Sequence, residues 1–426
     1  MTPSAEFAGR SSRTPPTEHA GGDGATVPAQ AAGPLRGLRV LDLGNMIAGP
    51  CCTRVLADYG AEVIKVEQPG RGDPIRGWRG QSRGHSLLWK HLSRNKRAVT
   101  LDLHREEGQR LARRLYGAVD IVVENFRPGV LERWGLAHAQ VEEACPRLIM
   151  VRISGYGQTG PYRDRAGFGG VAEAMAGVRF LTGYPDRPPT RVGFALADSV
   201  AGLYGAIAAL AAVEERRRSG RGQEIDVALT EATFSLLDDL LPAYRTLGII
   251  GQRHGTGLPG VAPSSIYPTR DGQYVVIGAN NDNVFRRLAT LMGRADWLVD
   301  PELSHDRGRG QRQAELDAAV AAWTEQFTLA EITGRLAEAG VPGGPVYDID
   351  GICRDPQFQA REMIVEIDDP DVGALALPGI VPRFSRTPGT IAWAGPRMGE
   401  HNDEVYGGLL GLSGAEIDAL RERGVI

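Results

Sequence analysis

The stretch Gly167–Pro189, GFGGVAEAMAGVRFLTGYPDRPP, holds one acid, Asp186, on a turn between Pro185 and Arg187. Such an aspartate is either a turn former, bonding its own backbone, or an oxygen nucleophile displayed where a substrate can reach it. Other residues near it also carry two readings. Glu173, one helical turn after Gly169, is a candidate acid or a salt-bridge partner. Asp198 reads as the N-cap of the alanine-rich helix that follows, and His401 as a capping residue before a C-terminal helix. Trp78 and Trp89 line a cleft or belong to the core.

These residues need elements to position them. LRVLDL (Leu38–Leu43) and AEVIKVE (Ala61–Glu67) read as buried strands flanking a glycine-bearing loop and a helix. This is the opening of a parallel α/β unit, although Gly44 and Gly49 do not make the G-x-G-x-x-G dinucleotide spacing. Further strands follow at Arg97–Leu103, Asp120–Phe126, Leu148–Gly157 and Gln223–Leu229, with a long helix over Asp198–Arg218. Ligands of such sheets gather at the carboxyl ends of the strands, where several loops lie. A Gly/Pro-rich passage near Leu247–Pro263 leads to a hairpin turning at Asp271–Gly272, and then to helices around Val284–Met292 and Gln311–Ala339. Ser413 followed by Glu416 is a capping box.

Composition narrows the function classes. A chain of 426 residues with 42% hydrophobic and 23% charged residues has material for two domains. A formal charge of −4 gives no footing for nucleic acid, and no run of about 18 uninterrupted apolar residues suggests a membrane span. The four cysteines fit no metal or redox spacing, so reduced core or near-core thiols in a cytoplasmic protein are expected. Residues 1–35, rich in Ala, Gly, Pro, Ser and Thr, read as a disordered tail.

Taken in order, LRVLDLGNMIAGP, GAEVIKVEQPGRGDPIR, NKRAVTLDL, VENFRPGVLERWG, ISGYGQTGPY, TGYPDRPPTRVG and GEHNDEVYGGLLGLS resemble the class III coenzyme A transferases, the CaiB–BaiF family. The resemblance implies an α/β fold: a Rossmann-like large domain built from both chain ends, a smaller central α+β domain, and an interlocked homodimer. Its boundaries fall at 36–246 for the first part of the large domain, 247–345 for the small one, and 346–426 for the return linker and remainder.

The resemblance also implies that Asp186, in Thr182–Pro189, is the covalent nucleophile, with Arg187 standing where the family pattern has glycine. It assigns Met46, Ile47 and Ala48 to the adenine pocket, and Asn125, Phe126, Val130 and Arg133 to further coenzyme A contacts. Gln68 and His104 replace two basic residues of the formyl-CoA enzymes. Lys65, Arg71, Arg76, Lys96 and Arg97 are therefore the local cations expected to grip phosphate. Glycines at Gly255–Gly257 or Gly343–Gly344 are either a loop that covers the site and brings backbone N–H groups to an oxyanion, or plain linkers.

The implied partners are an acyl-CoA and a small carboxylic acid, with no nucleic acid, membrane, metal or permanently bound cofactor. Arg187 and Arg191 point to a dicarboxylic acyl group such as succinate or oxalate. An alternative is the racemase branch, which moves the proton alpha to the thioester with a His-Asp pair in a G-H-D-x-N-Y setting. Gly167-Phe168-Gly169-Gly170 offers neither group. The other alternative is a non-catalytic coenzyme A-binding subunit of a paired enzyme.

Overall fold

In the computed structural model, which describes residues 33–426, the apolar runs become a six-stranded parallel sheet. Its strands are β1 (Arg39–Asp42), β2 (Glu62–Glu67), β3 (Lys96–Thr100), β4 (Ile121–Glu124), β5 (Ile149–Ser154) and β6 (Glu224–Ala228). They lie in the order β3-β2-β1-β4-β5-β6, every neighbouring pair parallel. The chain builds outward from β1 in one direction, then returns and builds outward in the other. That leaves a topological switch between β1 and β4, the place where open parallel sheets take their ligands.

Both faces of the inner strands are buried, which explains why these read as apolar runs, while the edge strand β6 alternates and exposes Glu224 and Asp226. Leu41, Ile64, Val122 and Met150 face one core, together with the helix Glu106–Tyr116. Val40, Val63, Val123 and Val151 face the other, under the helices Ala48–Asp58 and Leu196–Ser219. The second of these helices is rich in Ala and Gly because it lies close on its neighbour: a Cβ at Gly202 would stand 2.9 Å from Cys51 Cβ. An 18-residue window of this helix has a mean hydropathy of 1.7, long and apolar enough on those grounds to cross a membrane. Here it covers the sheet with its small residues.

The C-terminal segment closes the free edge of β3. Trp393 Nε1 donates to Lys96 O at 2.9 Å, His401 N to Ala98 O at 3.0 Å, and Tyr406 Oη to Thr100 O at 2.7 Å. Val405, Tyr406, Leu420 and Ile426 then join the core of the first face. A separate apolar cluster spans Ala262–Val341 and holds the Ser264–Pro268/Tyr274–Gly278 hairpin with its turn at Asp271–Gly272. The described residues otherwise form one compact unit.

Several expectations shift. The tail expected over 1–35 lies outside the described residues except for its end, where Leu35 N donates to Tyr59 O at 2.9 Å. Asp198 is not the N-cap of its helix; Ala195 is, and Asp198 stands in the first turn. The Gln311–Ala339 stretch is broken into Gln313–Thr324 and Leu329–Glu338, the latter opened by a Thr328/Glu331 capping box. Cys51 and Cys52 are buried, but Cys353 is exposed.

Candidate active site

Two loops meet at the switch between β1 and β4. Asn125 ties them together: its amide oxygen accepts from Asn45 N at 2.7 Å and its Nδ2 donates to Asn45 O at 2.8 Å. Glu124, buried at the end of β4, turns its carboxylate back onto Phe126 N at 2.7 Å and is held by Arg152 Nε at 2.8 Å. On the other loop Met46 takes a left-handed φ of 63°, which Asp73 supports by accepting its N–H at 3.1 Å. Gly44 and Gly49 cross so closely that a Cβ on either would stand 2.9 Å from the other's Cα. Glycine is required there by backbone contact.

The loops open onto a cavity of about 690 Å³ walled by Asn45, Arg71, Phe126, Val130, Arg133 and Trp134. Phe126 meets Trp134 edge-on at 5.2 Å, giving an aromatic wall. Arg71, Arg127 and Arg133 stand exposed at it, none in an ion pair among the described residues. Flat aromatic surface beside unpaired guanidinium groups suits a ligand with a planar base and phosphates.

Of the coenzyme A contacts expected from sequence, Phe126, Val130 and Arg133 line this cavity, while Asn125 fixes the loops beside it. Met46, Ile47 and Ala48 lie next along the chain, with Ile47 and Ala48 buried. The expected phosphate cations divide sharply. Lys65 and Lys96 are fully buried: Lys65 Nζ donates to Gly44 O, and Lys96 Nζ lies 3.0 Å from Asp42 Oδ2. Arg76 is committed to Glu67, and Arg97 to Glu62 and Glu404. Only Arg71 of the five faces the cavity. Asn45, Arg127 and Trp134 were missed, because nothing local marks a loop residue as cavity wall.

The loop that carries Met46–Ala48 also touches the first turn of Leu196–Ser219. Ala195 packs against the cluster that holds Ile47 and Cys51, and Cys51 Sγ lies 3.9 Å from Ser199 O. Asp198 sits on this turn with its carboxylate pressed on Gly169; a Cβ there would be 2.0 Å from Oδ2. Burial, reinforced by the Glu173 carboxylate, pushes the Asp198 carboxyl up to about 6. A helix N-terminus normally favours the anion, so desolvation outweighs the dipole here.

Glu173 itself is 1% exposed. Its Oε2 accepts from Arg179 Nη2 at 3.2 Å and Nε at 3.3 Å, while Oε1 is buried without a partner. Arg179 is partly exposed and lies over Gly170, whose added Cβ would meet Nη2 at 2.7 Å. Gly169, where the racemase pattern has Asp, and Gly170 beside it thus make room for Asp198 and Arg179.

Asp186, the nucleophile expected from sequence, is exposed on its turn and accepts no hydrogen bond from any described residue. The turn is stapled to a neighbouring segment by Arg253 Nη1 to Phe180 O at 2.9 Å and by Gly255 N to Gly183 O at 3.0 Å. Gly255 packs on the Tyr184 ring, whereas Gly343–Pro345 is a strand paired with Tyr274–Gly278. Of the two glycine candidates, the Gly255 segment is therefore the one brought to the turn. Among the described residues, no group of three His, Cys, Asp or Glu side chains could hold a metal ion.

Known proteins resemble the chain over most of its length. The profile of CoA-transferase family III matches residues 35–402. The chain is 48% identical over 394 residues to a succinyl-CoA–D-citramalate CoA-transferase of Chloroflexus aurantiacus, covering 92% of this chain and 98% of that one. It is 41% identical to the beta subunit of a succinyl-CoA–L-malate CoA-transferase of the same organism, over 92% and 98% of the two chains. A crystal structure of a CAIB/BAIF family protein from Brucella suis superposes with a TM-score of 0.78 at 35% identity, covering 89% of this chain and all of that one. The chain therefore belongs to CoA-transferase family III, and is an enzyme that moves coenzyme A between an acyl-CoA and a carboxylic acid.

Proposed function

We propose that the enzyme carries coenzyme A from succinyl-CoA to a four- or five-carbon hydroxydicarboxylic acid, through covalent intermediates on Asp198. The relatives whose names pair succinyl-CoA with citramalate or malate support the substrate class. The observation that carries the mechanism is the Asp198 carboxylate: desolvated, raised to about 6, and facing a glycine that leaves its oxygen clear. Asp186 stands exposed on its turn, and no described residue donates a hydrogen bond to it.

Asp198 attacks the donor carbonyl, giving an acyl-aspartyl anhydride and coenzyme A thiolate. The thiolate attacks the aspartyl carbonyl, forming an aspartyl-CoA thioester and releasing succinate. The acceptor carboxylate then attacks this thioester, forming a new anhydride and freeing the thiolate. Attack of the thiolate on the acceptor carbonyl yields the new acyl-CoA and restores Asp198. A thioester is exchanged for a thioester, so no ATP is consumed. The cavity at the β1/β4 switch would hold the nucleotide end of coenzyme A, with Arg71, Arg127 and Arg133 at its phosphates. The same reading takes the chain as a homodimer, because apolar side chains on Leu196–Ser219 and Leu240–Leu247 stand exposed, Ile207 and Leu247 most of all at 63% and 68%.

The test is intact-protein mass spectrometry after mixing with succinyl-CoA and quenching with hydroxylamine or borohydride. Wild type and Asp186→Asn should give a trapped adduct, and Asp198→Asn none. An adduct that survives Asp198→Asn but vanishes in Asp186→Asn would return the nucleophile to Asp186. No adduct, with solvent deuterium entering the acyl alpha carbon, would replace transfer by racemisation.

A further inference from the structure

Buried ion pairs are costly to build, so one beside a reactive carboxylate calls for a reason. Glu173 supplies the buried half of such a pair with the partly exposed Arg179, and the chain departs from simple satisfaction on both sides of it. The Glu173 carboxylate spends both hydrogen bonds from Arg179 on one oxygen and leaves Oε1 buried and unpaired. Arg179, held by Nε and Nη2, keeps Nη1 uncommitted on a side chain that is 30% exposed. Glu173 thus fixes the guanidinium plane while part of the fork remains available.

The position of that fork is set by two consecutive glycines. Gly169 lies against Asp198 Oδ2 and Gly170 against Arg179 Nη2. Consecutive Cα atoms are about 3.8 Å apart, so the reactive carboxylate and the guanidinium flank one peptide step and are at most about 12 Å apart. A four-carbon dicarboxylic acyl group needs a span that fits within this limit: about 3 Å from nucleophile to carbonyl carbon, about 4 Å along the chain, and about 4 Å from the distal carboxyl carbon to a donor nitrogen. The other arginines near this stretch are placed differently. Arg187 lies by the Tyr184 ring, and Arg191 Nε donates to Val192 O; both are exposed and neither touches the glycine pair.

We propose that Arg179, oriented by Glu173, binds the distal carboxylate of the substrate and so sets the enzyme's preference for dicarboxylic over monocarboxylic acyl groups. The proposal rests on Asp198 as the reacting carboxylate. Glu173 is a positioning residue in it, and Arg179 the specificity residue. An uncharged side chain at 179 would leave the distal carboxylate desolvated without a partner, whereas an acyl chain ending in methyl loses nothing comparable.

The experiment compares succinyl-CoA with butyryl-CoA, which match in chain length and differ in the terminal carboxylate. For Arg179→Met, kcat/KM with succinyl-CoA should fall roughly ten- to hundredfold further than with butyryl-CoA. Arg179→Lys should retain part of the preference, and Glu173→Gln should lower it without abolishing it. Equal losses for the two thioesters, or an unchanged ratio, would overturn the proposal; if Arg179→Met does not fold by circular dichroism, the same ratio is read from Arg179→Lys.

Calorimetric affinities of the two thioesters for the Asp198→Asn protein, with and without Arg179→Met, give a readout that needs no turnover. A succinyl preference that disappears with Arg179 supports the proposal even if no CoA transfer is found in the wild type, an outcome that would sink only the transferase mechanism on Asp198. No preference in the Asp198→Asn protein would overturn the role of Arg179.

Discussion

A carboxylate that attacks a thioester must be ionised, yet Asp198 is held where ionisation is disfavoured, and the two demands set its pH behaviour. With its carboxyl at about 6, kcat/KM should be level at neutral pH and fall about tenfold per unit on the acid side of 6. A profile flat down to pH 4.5 would be incompatible with Asp198. The linkage sign runs the other way for stability. The folded value lies above the unfolded one, so this group's contribution is fully present below about 3.9 and is lost as pH rises through about 6. Asp198→Asn should therefore abolish transfer while raising stability at pH 7 by roughly 1–3 kcal/mol, read by denaturant midpoints at pH 4 and 7. Gly169→Ala tests the same contact from the opposite side. Its Cβ would fall 2.0 Å from Oδ2 and displace the carboxylate, so kcat should drop by about a hundredfold or more. Asp198 read locally as a helix cap because an acid before an alanine-rich helix looks like one. Its packing on Gly169 is a tertiary fact that neither segment carries alone.

At the scale of elements, the loop after β4 shows how much a motif conveys and where it stops. Glu124, Asn125 and Phe126 each have a separate duty: the carboxylate holds the Phe126 N–H, the amide ties the loop to Asn45, and the ring forms the wall with Trp134. Asn125→Ala removes two hydrogen bonds between the loops and leaves Asn45 N and O to water. Coenzyme A affinity should fall roughly ten- to fiftyfold by calorimetry, with the thermal midpoint little changed; an equal loss of both would make Asn125 merely structural. The inner strands were legible because burial on both faces demands continuous apolar runs, and the edge strand β6 because Glu224–Ala228 alternates polar and apolar residues with its polar ones exposed. The cations were not. Lys65 and Lys96 lie on strands whose lysines look available in sequence, but their stems run inward to Gly44 O and to Asp42, where they fix the first loop from beneath.

On the whole molecule, the C-terminal segment is joined to the sheet at the edge of β3, whose backbone would otherwise be free to pair with another chain. The opposite side is less well covered. Leu203, Tyr204 and Ile207 on Leu196–Ser219, and Leu241, Tyr244 and Leu247 on Leu240–Leu247, stand exposed, and Tyr204 Oη lies 3.0 Å from Ser235 Oγ, linking the helix to the segment before the second group. A helix whose small residues face the sheet and whose large ones face out is packed on one side and waiting on the other, a pattern that sequence registers only as a uniformly apolar helix. Charge placed in that surface distinguishes a covered face from a free one. On a free surface Ile207→Asp is close to neutral, within about 0.5 kcal/mol, and leaves the mass in solution unchanged. If a second copy covers the face, the carboxylate must be desolvated or the contact broken. Sedimentation should then show the wild type at twice the chain mass and Ile207→Asp shifted toward the monomer, with activity falling alongside because the turn bearing Asp198 belongs to the same helix. A wild type at the mass of one chain would remove the dimer, and leave the exposed leucines and isoleucines without an explanation in the fold.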